Sequence, residues 1–269
     1  MYCLAQHRNI AVSDTYLHVV EAGKGPAIVF FHGLGWTHAL WAAAFDRYAE
    51  RYRVIAGDTR GHGDSGKPPG PYSIAQFAND WMQALDALDV REAILVGFSQ
   101  GGMIAQTIAV KAPARVKGLF LACTSAAGNP ASFANMEARI KAMQAEGPEA
   151  AARVALASIL SPAYLAAHPA QVEQFVRWRA AADQPSLVAA MLATKDYDVR
   201  AGLPGLKMPR QVFCGGADTL TPPARVAEVA QGLGVPMQTI EGSGHMVQIE
   251  QPVRFYAALD AFLDGMMRA

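Results

Sequence analysis

Six short apolar runs, separated by turn signals and helical patterns, constrain the fold of this chain more than any other feature. The runs are rich in Val, Ile, Leu and Phe, and they occupy residues 27–33, 52–58, 92–98, 116–123, 210–216 and 236–242. Because they are continuous rather than alternating, they are typical of strands that are covered on both faces. Helical patterns lie between or after them at residues 73–88, 101–111, 223–233 and 251–266. The repeated succession of strand and helix predicts an α/β fold with a mostly parallel, doubly wound sheet.

The N-terminal stretch has a different pattern. Residues 9–23, NIAVSDTYLHVVEAG, alternate apolar and polar side chains, which indicates an antiparallel hairpin at the edge of the sheet. In open α/β sheets, ligands bind at the carboxyl ends of the strands. The segments that directly follow the apolar runs are therefore where functional residues are expected.

The strand pattern is lost between residues 126 and 200. This span is rich in Ala, Met and Gln, shows helical periodicity, and is divided by prolines into short pieces. We interpret residues 126–200 as a helical cap that is inserted into a core formed by residues 1–125 and 201–269. The glycine- and proline-containing segments 125–130 and 201–209 are the expected hinges.

Composition excludes several classes of partner. The 269 residues carry 23 Lys and Arg against 23 Asp and Glu, so neither nucleic acid nor an anionic membrane is expected as the main partner. No apolar run approaches the roughly 18 residues that cross a bilayer, and the N-terminus lacks the layout of a signal peptide. We expect a cytoplasmic protein with a small-molecule substrate; the sequence does not indicate its oligomeric state.

Residues 97–101, GFSQG, match the pattern G-x-S-x-G. The match lies between an apolar strand and a helical pattern, which is the context of a nucleophile elbow. In such a turn Ser99 is exposed above the sheet, while side chains at positions 97 and 101 would clash with neighbouring backbone. The helix N-terminus also favours developing negative charge. A purely structural glycine turn is the alternative.

A serine nucleophile needs a base, and the base needs an acid that orients it. His245 lies in a glycine-rich loop before the last helical pattern, and Asp218 directly follows the strand at 210–216. Both agree with the chain order Ser, acid, His. Asp196 and Asp198 precede the return to the core and are expected to brace the junction with the cap. We therefore predict Ser99, Asp218 and His245 as nucleophile, acid and base.

Candidates for substrate binding are less specific. The backbone N–H groups of Gln100 and Leu34 are expected to stabilise the oxyanion. His32 could contact the substrate, but we expect it mainly to shape its loop by hydrogen bonds. Further candidates are Trp41 from the core and, from the cap, Met136, Arg139, Met143, Arg177, Trp178 and Met191. Packing or a solvated helix face is the alternative for each, although Arg139 and Arg177 could pair with a substrate carboxylate.

A dense polar cluster lies in the segment GDTRGHGDSGKP, residues 57–68. Its Asp58, Arg60, His62 and Asp64 match no common pattern of metal ligands. We expect instead a turn that is held by an internal Arg–Asp pair. With no nucleotide-binding glycine fingerprint in the chain, neither a metal nor another cofactor is expected.

Five motifs together resemble a known superfamily. HGLG, DTRGHGDS, GFSQGG, GGAD and GSGH occur here in the order found in the α/β-hydrolase superfamily, and the resemblance covers nearly the whole chain. It implies an α/β-hydrolase fold with Ser99 as nucleophile, Asp218 as acid, His245 as base, and Leu34 and Gln100 as oxyanion donors.

Within the superfamily, residues 53–81 and the segment LACTSAAGNP resemble the 3-oxoadipate enol-lactonase group, as do TPP after Asp218 and IEQP after His245. One departure concerns Gln100, where that group usually carries Met. Its polar side chain is expected to face the pocket.

These residues predict a serine hydrolase that cleaves a small carboxylic ester or lactone through an acyl-enzyme on Ser99. Hydrolysis of a C–C bond in a ring-fission diketone would use the same triad, and a cofactor-free perhydrolase or haloperoxidase activity is a further alternative. A non-catalytic receptor with this fold is disfavoured because no member of the triad is missing. The serine also excludes the superfamily members that use aspartate or cysteine at the elbow.

Overall fold

The computed structural model of the chain describes residues 2–128, 140–141 and 143–268. These residues form an eight-stranded sheet with the order β1-β2-β4-β3-β5-β6-β7-β8. The strands are β1 Gln6–Val12, β2 Thr15–Ala22, β3 Ala27–Phe31, β4 Arg53–Gly57, β5 Ala93–Phe98, β6 Val116–Ala122, β7 Arg210–Gly215 and β8 Met237–Ile240. Neighbours from β4 to β8 pair in parallel. Only β1–β2 and β2–β4 are antiparallel in this sheet.

The predicted α/β-hydrolase fold is confirmed. Each of the six apolar runs contains one parallel strand, and the N-terminal stretch forms the antiparallel hairpin at the sheet edge. The helices are α1 Ala42–Tyr48, α2 Ile74–Ala87, α3 Gln100–Lys111, α4 Pro148–Ile159, α5 Pro162–Ala167, α6 Pro169–Ala180, α7 Gln184–Leu192, α8 Pro223–Leu233, α9 Val247–Glu250 and α10 Pro252–Arg268. Sequence analysis missed α1 and α9, which are only 7 and 4 residues long. Short 3-10 helices lie at Tyr2–Leu4, His38–Trp41, Pro113–Arg115 and Arg200–Gly205.

Both faces of the sheet are buried at its central strands, such as β3, β5 and β6, which explains why their sequences are apolar throughout. Side chains alternate along a strand, so that Phe31 belongs to the buried cluster on one face, together with side chains of α2, α3 and α8. Its neighbour Phe30 belongs to the cluster on the other face, together with side chains of α1 and α10. Helices α4 and α6 also contribute buried side chains to this second face. The core therefore consists of two layers, one on each side of the sheet.

Helices α4 to α7 lie between β6 and β7, within the predicted cap. The two ends of this inserted segment pair with each other, since the Gly128 N–H donates to the Tyr197 carbonyl at 2.7 Å and the Val199 N–H donates to the Ala126 carbonyl at 2.9 Å. The chain thus leaves and re-enters the sheet region at one point. The division into a core and a separate cap domain stays a prediction.

Arg60 shows how the polar segment after β4 is fixed. Its guanidinium donates to both carboxylate oxygens of Asp80 on α2, at 2.7 and 3.0 Å, and to Asp14 at 2.6 Å. The expectation of an Arg–Asp pair internal to the turn is therefore wrong, because the partners come from distant segments. Asp58 instead accepts hydrogen bonds from the N–H groups of His38 and Asp64.

No helix among the described residues has the length and apolar character that crossing a membrane requires.

Replacing Asp80 with alanine tests the Arg60 contact. Both side chains are 1% exposed. Without Asp80 the buried guanidinium keeps only Asp14, whose carboxylate is 62% exposed, as its counter-charge, so Asp80→Ala should lower the free energy of unfolding by about 3–5 kcal/mol. Asp86 is the matched control on the same helix, because its carboxylate is 64% exposed and pairs with Arg115 at the surface. Asp86→Ala should cost below about 1 kcal/mol. Urea unfolding followed by circular dichroism measures both, and equal losses would contradict the assignment.

Candidate active site

Ser99 occupies a strained turn between β5 and α3. Its backbone has φ 53° and ψ −121°, a conformation that costs a non-glycine residue about 1–3 kcal/mol. Four hydrogen bonds hold it there. The Ser99 N–H donates to the Ala122 carbonyl at 3.0 Å. Its own carbonyl accepts from the N–H groups of Gly102 and Met103 at 2.9 and 3.2 Å, and from the Thr124 hydroxyl at 2.8 Å. The geometry is that of a strand-to-helix elbow.

Two glycines allow this turn to pack closely. A Cβ atom at position 97 would lie 2.6 Å from the Cα of Gly102, and one at position 101 would lie 2.2 Å from the Phe31 carbonyl oxygen. Both distances are well below van der Waals contact with backbone that cannot move aside. The elbow can therefore accept no side chain on either side of Ser99 at these positions.

Asp218 and His245 are joined by a short hydrogen bond. The Nδ1 of His245 lies 2.7 Å from Oδ2 of Asp218, while Oδ1 accepts from the N–H groups of Leu220 and Thr221 at 2.9 and 2.8 Å. Both carboxylate oxygens are thus engaged, and the pair is buried. Because Nδ1–H donates to the carboxylate, the Nε2 of His245 carries the lone pair and can act as a base.

Ser99 and His245 line the same cavity. The other lining residues are Leu34, Trp36, Phe98, Ile159, Arg179 and Leu220. Most of these side chains are apolar, and Arg179 brings a positive charge. The structure therefore places the predicted nucleophile and base on one cavity, with Asp218 behind the histidine.

Cys123 lies close to this pair, with Asp218 and His245 ligand atoms within 4.8 Å of its sulfur. The thiol is fully buried, and burial raises its pKa. It therefore stays protonated, which suits a packing role beneath the site better than a metal ligand or a nucleophile.

His32 shapes the loop that carries Leu34. Its Nδ1 donates to the Gly33 carbonyl at 2.8 Å, and its Nε2 accepts from the Thr59 N–H at 3.0 Å. Burial lowers the pKa of His32 and holds the ring neutral. The neighbouring His62 is buried as well, and its pKa is lowered to about 3. His32 does not line the cavity, so the structure supports the hydrogen-bonding role over substrate contact.

The side chain of Gln100 turns away from the cavity. Its amide Nε2 donates to the Ala190 carbonyl on α7 at 2.6 Å, and the residue is buried. This corrects the expectation that a polar group is added to the pocket at this position. The backbone N–H of Gln100 remains at the first turn of α3, next to Ser99.

The remaining candidates lie elsewhere. Trp41 is fully buried in the core, where its ring contacts Phe30 and Phe255, and it does not line the cavity. Trp178 is exposed on α6 and makes an edge-to-face contact with Trp36, with ring centroids 5.8 Å apart. Arg177 is exposed. Met143 and Met191 line a neighbouring cavity that shares Arg179 with the first. Arg139 and Met136 lie outside the described residues.

Sequence analysis missed Trp36, Ile159, Arg179 and Leu220. Arg179 is buried on α6 and donates to the Leu34 and Gly35 carbonyls at 3.2 and 3.3 Å, with its guanidinium 5.8 Å from the Trp36 ring. The helical periodicity could have identified Arg179. Val176 and Arg179 follow Phe175 by one and four residues, which places all three on one face of the helix. That spacing marks Arg179 as the inward-facing arginine, whereas its neighbour Arg177 points outward.

A model of the alpha/beta hydrolase fold family matches residues 26–252. The chain belongs to the α/β-hydrolase family. This hydrolase is 27% identical over 256 residues to 3-oxoadipate enol-lactonase 2 of Acinetobacter baylyi, with 94% of this chain and 95% of that protein covered.

Solved structures of similar proteins agree. A hydrolase from Pseudomonas aeruginosa superposes with a TM-score of 0.87 at 33% identity, covering 96% of this chain and 98% of that one. The enol-lactonase from Burkholderia xenovorans also gives 0.87, at 28% identity and with 96% and 100% coverage. These likenesses confirm the prediction of a hydrolase that resembles the enol-lactonase group.

The elbow can be tested with two glycine-to-alanine variants. Gly101→Ala places a methyl group against the Phe31 carbonyl and should lower the free energy of unfolding of this hydrolase by about 3 kcal/mol or more. Gly265 on α10 has nothing within 4 Å of an added Cβ, so Gly265→Ala should raise stability by about 0.5–1 kcal/mol. Thermal and urea unfolding measure both. A Gly101→Ala variant as stable as the parent would disprove the close packing.

Proposed function

We propose that this protein is a serine hydrolase that cleaves a small carboxylic ester or lactone through an acyl-enzyme on Ser99. The observation that carries the proposal is the His245–Asp218 hydrogen bond, which leaves Nε2 of His245 as the basic atom on the cavity that Ser99 also lines. The A. baylyi and B. xenovorans relatives, described as enol-lactonases, support the same substrate class.

Acylation begins when Nε2 of His245 accepts the proton of the Ser99 hydroxyl. The serine oxygen attacks the carbonyl carbon, and the carbonyl π-electrons move to oxygen to give a tetrahedral oxyanion. The backbone N–H groups of Leu34 and Gln100 stabilise that charge. The bond to the alkoxy oxygen then breaks, and the histidine returns the proton to this oxygen. Asp218 stays ionised and stabilises the imidazolium that forms in between.

Deacylation repeats these steps with water. His245 removes a proton from a water molecule, the hydroxide attacks the acyl carbon, and Ser99 leaves with the proton from the histidine. If the substrate is a lactone, the opened alcohol stays attached to the acyl group, so a single product leaves the cavity. The acid released is a carboxylate at neutral pH.

Arg179 indicates which charge the substrate carries within this proposal. Among the described residues that line the cavity, Arg179 contributes a guanidinium, whereas the others are mainly apolar side chains such as Trp36, Phe98 and Ile159. A charge-assisted hydrogen bond from arginine to a carboxylate is about twice as strong as a neutral one. We therefore infer that the preferred ester or lactone carries a carboxylate of its own.

Ser99→Ala is the direct test of the nucleophile. A fluorophosphonate probe should add its mass once to the parent protein and not to Ser99→Ala, because only an activated serine reacts. Asp218→Asn should lower kcat by about 10⁴-fold on a p-nitrophenyl ester. The control is Asp198→Asn, whose exposed carboxylate pairs with Arg200 and whose kcat should stay within about twofold of the parent. Labelling of Ser99→Ala, or full turnover by it, would refute the proposal.

The charge preference is tested with a matched pair of arginine variants. Arg179→Gln should lower kcat/KM by about 10- to 150-fold for an enol-lactone that carries a carboxylate, and much less for an uncharged lactone of the same size. Arg177→Gln, two residues away on the exposed side of α6, should change neither value. An equal loss on both substrates would show that Arg179 only holds the Leu34 loop, while the Ser99 labelling result would stand independently.

A further inference from the structure

Three histidines meet outside the catalytic cavity, on the edge hairpin. In the β1–β2 register, Asn9 pairs with His18 and His7 pairs with Val20. His7 is therefore two residues from the partner of His18, which puts both side chains on the same face of the hairpin. His38 at the start of the 3-10 helix packs against that face. The ring centroids lie 5.2 Å apart for His7–His18, 5.3 Å for His18–His38 and 5.9 Å for His7–His38.

The nitrogen atoms of these rings converge. One ring nitrogen from each histidine lies within 4.8 Å of one from each of the others, and Nδ1 of His7 is 3.1 Å from Nε2 of His18. Imidazole nitrogens bind zinc at about 2.0–2.1 Å in tetrahedral geometry, so two such ligands lie roughly 3.3 Å apart. The pair on the hairpin already has that spacing, and a small shift of the rings would bring the third nitrogen to it.

Two of the rings are oriented by a second hydrogen bond. Nδ1 of His38 lies 2.9 Å from Oδ1 of Asp58, and Nδ1 of His18 lies 2.9 Å from Oδ1 of Asn9. Each Nδ1–H therefore donates to an oxygen, which leaves Nε2 with its lone pair. Metal-binding histidines have this arrangement, in which a carboxylate or carbonyl oxygen fixes the tautomer. Asp58 is itself held by the N–H groups of His38 and Asp64.

We propose that His7, His18 and His38 bind one zinc ion or a similar divalent transition metal. Three imidazoles suit zinc, nickel, copper and iron, and they are poor ligands for magnesium and calcium, which prefer oxygen. Because His7 is exposed, water can occupy the fourth position. Before binding, the single N–H proton of neutral His7 lies on Nδ1 and is donated to Nε2 of His18. When Nδ1 of His7 binds the metal, that proton moves by way of solvent to Nε2 of the same ring, so His7 binds as a neutral imidazole.

The site would join the edge hairpin to the segment that follows β3. That segment begins at His32, carries Leu34, and reaches His38 four residues later. Metal binding at this place acts on the stability of the hairpin and the loop, and none of the three ligands lines the cavity of Ser99. The expectation from sequence that no metal binds rested on residues 57–68, and it did not consider residues that only the hairpin register brings together.

Zinc titration of untagged, chelator-treated protein tests the proposal. Isothermal calorimetry should show one zinc ion per chain, with at least about tenfold weaker binding in His7→Ala and in His18→Ala. His168→Ala, which changes an exposed histidine on the inserted segment, should bind as the parent does. Magnesium and calcium should give no heat. Absence of zinc binding, or equal affinity in His7→Ala and the parent, would overturn the proposal.

Two further measurements exclude a loose association with surface histidines. At zinc concentrations about 100-fold above Kd, Tm should rise by roughly 5–10 °C, and Asn9→Ala should weaken binding about tenfold although it removes no ligand. His38 is buried, so its contribution is measured without mutation, by zinc X-ray absorption of the loaded protein. Three imidazole nitrogens are expected, and fewer than three, or no change of Tm, would overturn the assignment.

Discussion

The positive φ at Ser99 is the constraint on which the rest of the structure depends. A side chain can occupy that conformation only if its surroundings hold it there, at a cost of about 1–3 kcal/mol. Here the carbonyl of Ala122 on β6, the backbone of α3 and the hydroxyl of Thr124 supply the hold. Strand β5 must therefore lie between β3 and β6, and α3 must pack directly on the sheet. The central position of β5 and the glycines on both sides of Ser99 follow from this one turn.

The proposed catalytic groups and part of the cavity wall come from different segments of the chain. The proposed nucleophile, base and acid, with the two backbone donors, follow core strands at the carboxyl edge of the sheet. Part of the cavity wall comes from elsewhere, because Ile159 and Arg179 belong to the inserted helices. The proposed catalytic groups are thus attached to the rigid sheet, while the inserted helices complete the wall and can vary without disturbing the sheet.

The sequence was informative where a local pattern has a local cause. Continuous apolar runs identified the parallel strands because both faces of the central sheet are buried. GFSQG identified the elbow because only glycine fits at positions 97 and 101, two residues to either side of Ser99. Contacts between residues that are distant in the sequence could not be predicted from such local patterns. Arg60 pairs with Asp80 and Asp14 across the chain, and Trp41, which looked like a pocket residue, fills the core. The helical periodicity of α6 predicts that Arg179 is buried, but it does not predict that Arg179 lines the cavity of Ser99.

The hydrogen bond from the Gln100 side chain to Ala190 has a mechanical consequence. Gln100 follows the proposed nucleophile, and its amide is buried with α7 as acceptor. Any motion that lifts α7 from the core strips that buried donor of its acceptor, at a cost of about 1–3 kcal/mol. Helix α7 is thereby fixed to the residue whose backbone N–H we propose as an oxyanion donor. The inserted helices therefore contribute in different ways. Helix α7 is fixed to the start of α3 through Gln100, whereas α6 reaches the cavity of Ser99 itself through Arg179.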